Sequence, residues 1–356
     1  MSWFLAGSFS FLIILTFYMV GRQLVRYIKY HSPITSIYIT PDSENIYVSI
    51  RYHARTYLFF SEDQGESWKN ITPEYFFLKQ NKINDILFIF GKEGFPGFIG
   101  LITQNSFFIS NNFGNDWERN IFQNEIKVFL VRQNPFQLNE FLLASFDGIY
   151  FTNNYGKDLR HITEGFKHQD SDVSFYIKDL EFSGTPGVIY FVSYDSLFKS
   201  SNSGFSWMKI PSSRRFYYQL EIDSKNKKHL FVGISNGGIL ETENSGYTWE
   251  YLDDRLPIAY KKNIRCFFLK INPYDSDLIF ASVESEDDIP VNLRSVDGGE
   301  TWERLELQEK FDPNTIMIFG KSSNIYVGTA SGKLFLSKDK GTTWRQLKFK
   351  IERLIK

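Results

Sequence analysis

Ser295-Val296-Asp297-Gly298-Gly299-Glu300-Thr301-Trp302 is the fullest copy of a phrase that this 356-residue chain repeats seven times. It reads Ser/Thr-x-Asp/Asn-x-Gly-x-Ser/Thr-Trp. The other copies span Ser61 to Trp68, Ser110 to Trp117, Thr152 to Leu159, Ser200 to Trp207, Thr242 to Trp249 and Ser337 to Trp344. Asp116 and Asp158 stand at the second Ser/Thr position in copies two and three, and Leu159 replaces the Trp in copy three. The glycines Gly65, Gly114, Gly156, Gly204, Gly246, Gly299 and Gly341 are 49, 42, 48, 42, 53 and 42 residues apart. A period of about 40–50 residues is that of one four-stranded propeller blade. The repeat therefore predicts an all-β, seven-bladed propeller of four-stranded antiparallel blades.

Each position of the phrase has a physical task. The side chains of Asp63, Asn112, Asn202, Asn244, Asp297 and Asp339 are expected to bond backbone N–H groups two residues on and shape a turn. The glycine allows a positive φ that a side chain would resist. The rings of Trp68, Trp117, Trp207, Trp249, Trp302 and Trp344 are expected to drop into the layer between blades, each burying roughly 150–250 Å². These are six of the seven tryptophans; the other is Trp3. The phrase resembles the Asp-box, or BNR, repeat of the sialidase superfamily, which includes sialidases, sortilin-type receptors, some glucanases and photosystem II assembly factors. Seven copies in register carry the resemblance over about residues 33–350. It implies that the box residues are structural and lie far from the active face.

Composition narrows the function. Forty basic and 41 acidic residues nearly cancel, which argues against a general nucleic-acid binder. The single cysteine, Cys266, lies in an apolar run and reads as a buried core thiol. The five histidines are scattered, with no close His/Cys pair at zinc spacing. The acidic run Glu284-Ser285-Glu286-Asp287-Asp288 lacks the alternating order of a calcium loop. No metal and no cofactor are expected.

Residues 1–32 differ from the rest. Trp3 to Val20 is uncharged and long enough for a membrane span, and no small-x-small cleavage pattern follows it. It is expected to be a retained anchor, with Gly21 to His31 as a basic extension at the bilayer surface. The positive-inside rule places Arg22, Arg26 and Lys29, and so the ring, in the cytoplasm. The resemblance points the other way, because many Asp-box proteins are exported, and an extracytoplasmic ring is the expectation adopted. The propeller is assigned to residues 33–356. Its ring would close by packing blade one on blade seven, and the tail Ile351 to Lys356 is left open as an added edge strand or a short helix.

In this architecture the box joins strands three and four. Loops between blades, and between strands two and three, share the opposite face, where binding is expected. The candidates collected there are Arg51, His53, Arg55, Arg214, Arg215, Phe216, Tyr217, Arg255, Tyr260, Lys261 and Lys262. Arg and Tyr are common in binding hot spots, and Arg214-Arg215-Phe216-Tyr217 is the densest cluster.

Hydrolysis is less well supported. The sialidase resemblance implies an arginine triad and an Arg-Ile-Pro phrase, and that phrase is absent. A glycosidase needs two facing carboxylates roughly 5–10 Å apart, and Asp147, Asp195, Asp253 and Asp254 single out no pair. The whole-chain resemblance is to the seven-bladed photosystem II assembly and stability factor type. It implies a non-enzymatic ring that docks a protein partner or an assembling membrane complex; the ring is expected to be monomeric and tethered through Trp3 to Val20. The alternative is a carbohydrate-binding or carbohydrate-cleaving propeller.

Overall fold

The computed structural model describes residues 34–40, 44–52, 55–73, 88–91, 97–123, 126–134, 137–163, 177–194, 196–211, 216–258, 263–285, 291–305, 316–320, 323–329 and 331–348. The segment Trp3 to Val20 lies outside them. Among the described residues no helix is long and apolar enough to cross a membrane.

The β-rich, turn-punctuated sequence forms seven four-stranded sheets, each built from four consecutive strands paired antiparallel. The innermost strands are Ile34–Ile39, Phe88–Gly91, Val128–Gln133, Ile177–Phe182, Tyr217–Ile222, Arg265–Asn272 and Ile316–Phe319. The fourth strands are short, such as Lys69–Asn70 and Arg345–Gln346. In blade six the second strand is long, Asp275–Glu284, because Asn272 and Asp275 pair directly across a tight turn.

Burial is almost complete on the second and third strands, where residues such as Tyr47, Phe107, Phe141, Phe191 and Phe280 are sealed. The buried residues gather into seven clusters, one for each seam between neighbouring blades. The closing seam is of the same kind. Ile34, Ile37 and Phe59 of blade one pack with Tyr326, Leu334, Leu336 and Leu347 of blade seven. Ile34 N donates to Thr329 O at 3.3 Å, and Asn324 Nδ2 to Glu44 Oε2 at 2.9 Å. Among the described residues each sheet takes its four strands from one stretch of chain, so the ring closes through apolar packing together with these bonds between blades one and seven.

The box turns show a different division of labour from the expected one. The leading hydroxyl, not the Asp or Asn, reaches the glycine: Gly65 N donates to Ser61 Oγ at 2.8 Å. The Asp carboxylate accepts from four residues on rather than two, taking Ser67 N at 2.8 Å and Ser67 Oγ at 2.6 Å. These charge-assisted bonds from Ser67 lower the Asp63 pKa to about 2. The departures in copies two and three keep the same bond with donor and acceptor exchanged. Asn112 Nδ2 donates to Asp116 Oδ2, and Asn154 Nδ2 to Asp158 Oδ2, each at 2.7 Å.

The box glycine is needed twice. Gly65 has φ +88°, and a Cβ there would stand 2.5 Å from Leu347 Cδ1 of the preceding blade. The residue before it is left-handed too, as Gln64 shows at φ 56°; copy six places a second glycine, Gly298, there. The six box tryptophans are half-buried except Trp302, which is buried. Trp68, Trp117, Trp302 and Trp344 bond the carbonyl of their own box glycine, as in Trp302 Nε1 to Gly299 O at 3.0 Å. Trp207 instead reaches Ile162 O of blade three at 3.1 Å.

Candidate binding face

Five innermost strands carry a bulge at the same place, near the end away from the boxes. The extra residues are Thr35, Phe129, Lys178, Tyr218 and Phe267. Each is half-buried, and all five stand at the loop-face mouth of the ring, with Phe129 and Phe267 packing against the seams that follow their blades. A bulge re-aims one side chain per strand. Its sequence signature was two adjacent large residues at a strand start, as in Tyr217-Tyr218 and Phe267-Phe268.

Beside this mouth stand exposed rings. Phe146, in the second turn of blade three, packs on Phe129 with centroids 5.1 Å apart. Tyr194 of blade four and Phe216, before the first strand of blade five, pack at 4.1 Å. Both remain nearly half exposed, Tyr194 at 49% and Phe216 at 44%. The backbone fixes this pair: Tyr217 N donates to Tyr194 O at 3.2 Å, and Ser235 N to Phe216 O at 2.8 Å.

The predicted residues divide in three groups. Arg51 is exposed in the strand Ile46–Tyr52, and Arg55 is exposed at the start of Arg55–Ser61, at the loop-face hairpin of blade one. Phe216 is exposed on the same face. His53, Arg214, Arg215, Tyr260, Lys261 and Lys262 lie outside the described residues. Two candidates need correction. Tyr217 is buried in the seam between blades four and five, because the bulge turns Tyr218 outward in its place. Arg255 is taken up by a seam: it bonds Glu241 at 3.2 Å and Glu250 at 3.0 Å, and lies 3.7 Å from Glu300 in the box of blade six.

Beneath the mouth, the innermost strands of blades three to six are joined by charge. Arg132 bonds Asp179 at 2.5 Å and Glu181 at 2.6 Å. Lys270 bonds Glu221 at 2.6 Å. Asp179 also accepts Leu220 N at 3.1 Å, and Glu221 accepts Ile271 N at 3.2 Å. Burial pushes the Glu221 carboxyl up to about 7, against the pull of Lys270. These groups answer one another, so they bind the blades together.

Of the carboxylates weighed for hydrolysis, Asp195 lies outside the described residues. Asp147 on the loop face is fully engaged, accepting from Ser145 at 2.7 Å and Tyr150 at 2.6 Å. Burial works to raise its pKa, but those hydroxyls hold it below the usual value, the opposite of a general acid's need. Cys266 is sealed, and burial pushes its thiol up to about 12. Among the described residues no cluster of His, Cys, Asp and Glu could hold a metal ion.

Comparison with known proteins agrees with the fold. The family described as photosynthesis system II assembly factor YCF48 matches residues 205–350. The structure of YCF48 from Cyanidioschyzon merolae is similar with a TM-score of 0.64 at 16% identity, covering 86% of this chain and 95% of that one. A structure of YCF48 bound to D1 peptide is similar at 0.62 and 14%, covering 86% and 92%. The GH74 xyloglucanase of Xanthomonas campestris reaches 0.64 at 15%, covering 88% of this chain. The chain spans about half the length of that enzyme, 53%. No curated protein matches the sequence. The chain is an Asp-box propeller resembling the photosystem II assembly factor.

Proposed function

We propose that this ring is a non-enzymatic docking module whose loop face binds a segment of a protein partner, and that Trp3 to Val20 tethers it to a membrane. The observation that carries the reading is the fixed, exposed Tyr194–Phe216 pair beside the bulge-lined channel mouth. Aromatic residues held rigidly bury area at little entropic cost. Arg51 and Arg55 add positive charge across the face. The similarity to YCF48 bound to D1 peptide supports a peptide-like ligand.

Topology supports a membrane-protein partner. Ile34 opens the first strand opposite Ile50, at the loop-face end of blade one. The apolar segment ends at Val20, and only residues 21–33 intervene, so the tether joins the ring on the binding face. Thirteen residues reach at most about 45 Å.

The test is in-cell photo-crosslinking of the full-length chain from position 216, with and without Arg214→Glu and Arg215→Glu. One stoichiometric membrane complex, lost in the double variant, is expected. Equal capture by both would remove the arginines from the site. Retention of glycans in place of any protein would favour a carbohydrate reading, for which the xyloglucanase similarity is the motive.

A further inference from the structure

A second surface emerges from the repeat itself, on the face opposite the loops. By repeat position, the residue after the box Trp (or Leu159) of one blade corresponds to the sixth box residue of the next; between blades one and two these are Lys69 and Asn115. At four seams these positions form a polar clasp. Arg345 pairs with Glu66 between blades seven and one. Glu118 pairs with Lys157 at 3.5 Å between blades two and three. Glu250 and Glu300 are bridged by Arg255 between blades five and six. Glu303 and Thr342 are bridged by Arg294, at 2.8 Å to each, between blades six and seven.

Two adjacent seams abandon this solution. Between blades three and four, the sixth box residue is Phe205, with the Arg160 guanidinium 4.4 Å from its centroid. Between blades four and five, the corresponding residues are Met208 and Tyr247. Met208 shares a strand face with Ile210, which lies against Gly246 of the blade-five box. Phe205 and Tyr247 are each 75% exposed, and Met208 51%. A self-contained rim has no use for three exposed apolar side chains where its own repeat supplies charges. Exposed apolar patches mark interaction sites.

We propose that Phe205, Met208 and Tyr247 form a second docking site, for an acidic protein segment that carries apolar side chains. The charge around the patch selects that chemistry. Arg160 stands over Phe205, and Lys209 and Lys228 are exposed close by; Ser245, beside Tyr247 in the same box, donates its N–H to Lys228 O at 2.8 Å. Arg160 lies between the Phe151 and Phe205 rings and donates Nη2 to Ser203 O at 3.2 Å, and its other N–H groups are the ones a carboxylate would meet. A bilayer fits less well, since the tether joins the ring on the other face.

The test uses the full-length chain and three fluorescent twelve-residue peptides: alternating Glu/Leu, Lys/Leu and Glu/Ser. Wild type should bind Glu/Leu at least tenfold more tightly than either of the others. The triple variant Phe205→Glu, Met208→Lys, Tyr247→Glu writes the clasp of the other seams into these two. It should keep the wild-type melting temperature and lose that preference. Loss of the preference together with folding would be checked with Tyr247→Ser alone, which should weaken Glu/Leu binding severalfold in a folded ring. Equal binding of the three peptides, or Glu/Leu binding unchanged in both variants, overturns the proposal. A dimer, or binding to anionic vesicles, that the triple variant abolishes would assign the patch to a second copy or to lipid, and overturn it too. The loop-face reading stands or falls separately, because neither variant touches that face.

Discussion

The innermost strands of blades three to six and those of blades seven, one and two hold the same channel with different chemistry. The first group carries Arg132, Asp179, Glu181, Glu221 and Lys270, joined across blades by ion pairs and side-chain-to-backbone bonds. The second group, Ile34–Ile39, Phe88–Gly91 and Ile316–Phe319, has no charged residue and closes by apolar packing. Apolar packing tolerates imperfect geometry, whereas a buried ion pair fails abruptly when one member is lost. The two halves should therefore break in different ways.

The largest effect is expected in the charged half. Asp179→Ala removes a sealed carboxylate that faces Arg132 and caps Leu220 N. It should cost about 3–5 kcal/mol, the usual penalty for leaving a buried partner uncompensated. Denaturant unfolding measures it. A loss below about 1 kcal/mol, the range of an exposed pair, would show that Glu181 alone satisfies Arg132 and that the halves differ less than their composition suggests.

The apolar half should break by crowding. Gly328 lies on the closing seam, where a Cβ would stand 2.8 Å from Ile34 Cγ2 and 2.9 Å from Ile37 Cδ1. Gly328→Val should cost about 1–3 kcal/mol, as overpacking does. Its signature is local: amides of blades seven and one should exchange faster while those of blade four keep their protection. Uniform loss across the ring would mean that closure and stability are one cooperative event.

Much of this was readable from the repeat. Seven box glycines fixed the blade number, because each needs a positive φ and bare space against the preceding blade, and no other residue offers both. Loop placement followed from the strand order, and so did the exposure of Arg51, Arg55 and Phe216. Three things were hidden. The bulges interrupt a strict alternation, so Tyr217 was expected to face outward when Tyr218 does. The role of Arg255 depends on Glu300, which is 45 residues later and adjacent only once the ring forms. The charges on the innermost strands went unread, since each partner sits nearly fifty residues away on the next blade, as Arg132 and Asp179 do.

The smallest expected effect distinguishes the halves by pH. His229, at the seam of blades five and six, bonds Asp223 through Nδ1 at 3.2 Å and Glu241 through Nε2 at 2.7 Å. Carboxylates only accept, so these two contacts favour the doubly protonated imidazolium over the neutral ring. Burial opposes that charge, but the two carboxylates outweigh it and raise the pKa above the ordinary His value. With the folded value raised, this stabilisation is complete below about pH 6.5 and is lost as pH rises through the folded pKa. The Asp63 box behaves oppositely. Its pKa of about 2 gives a contribution present above about pH 4 that is lost as pH falls through the folded value. Melting curves should thus fall on both sides of a plateau between about pH 4 and 6.5. His229→Gln should flatten the alkaline limb, and Asp63→Asn the acid limb. Amide exchange at pH 6 and pH 8.5, corrected for intrinsic rates, should then show seam five–six loosening severalfold while seam seven–one does not. An alkaline limb unchanged by His229→Gln would place its origin in another group and remove pH from the list of differences between the halves.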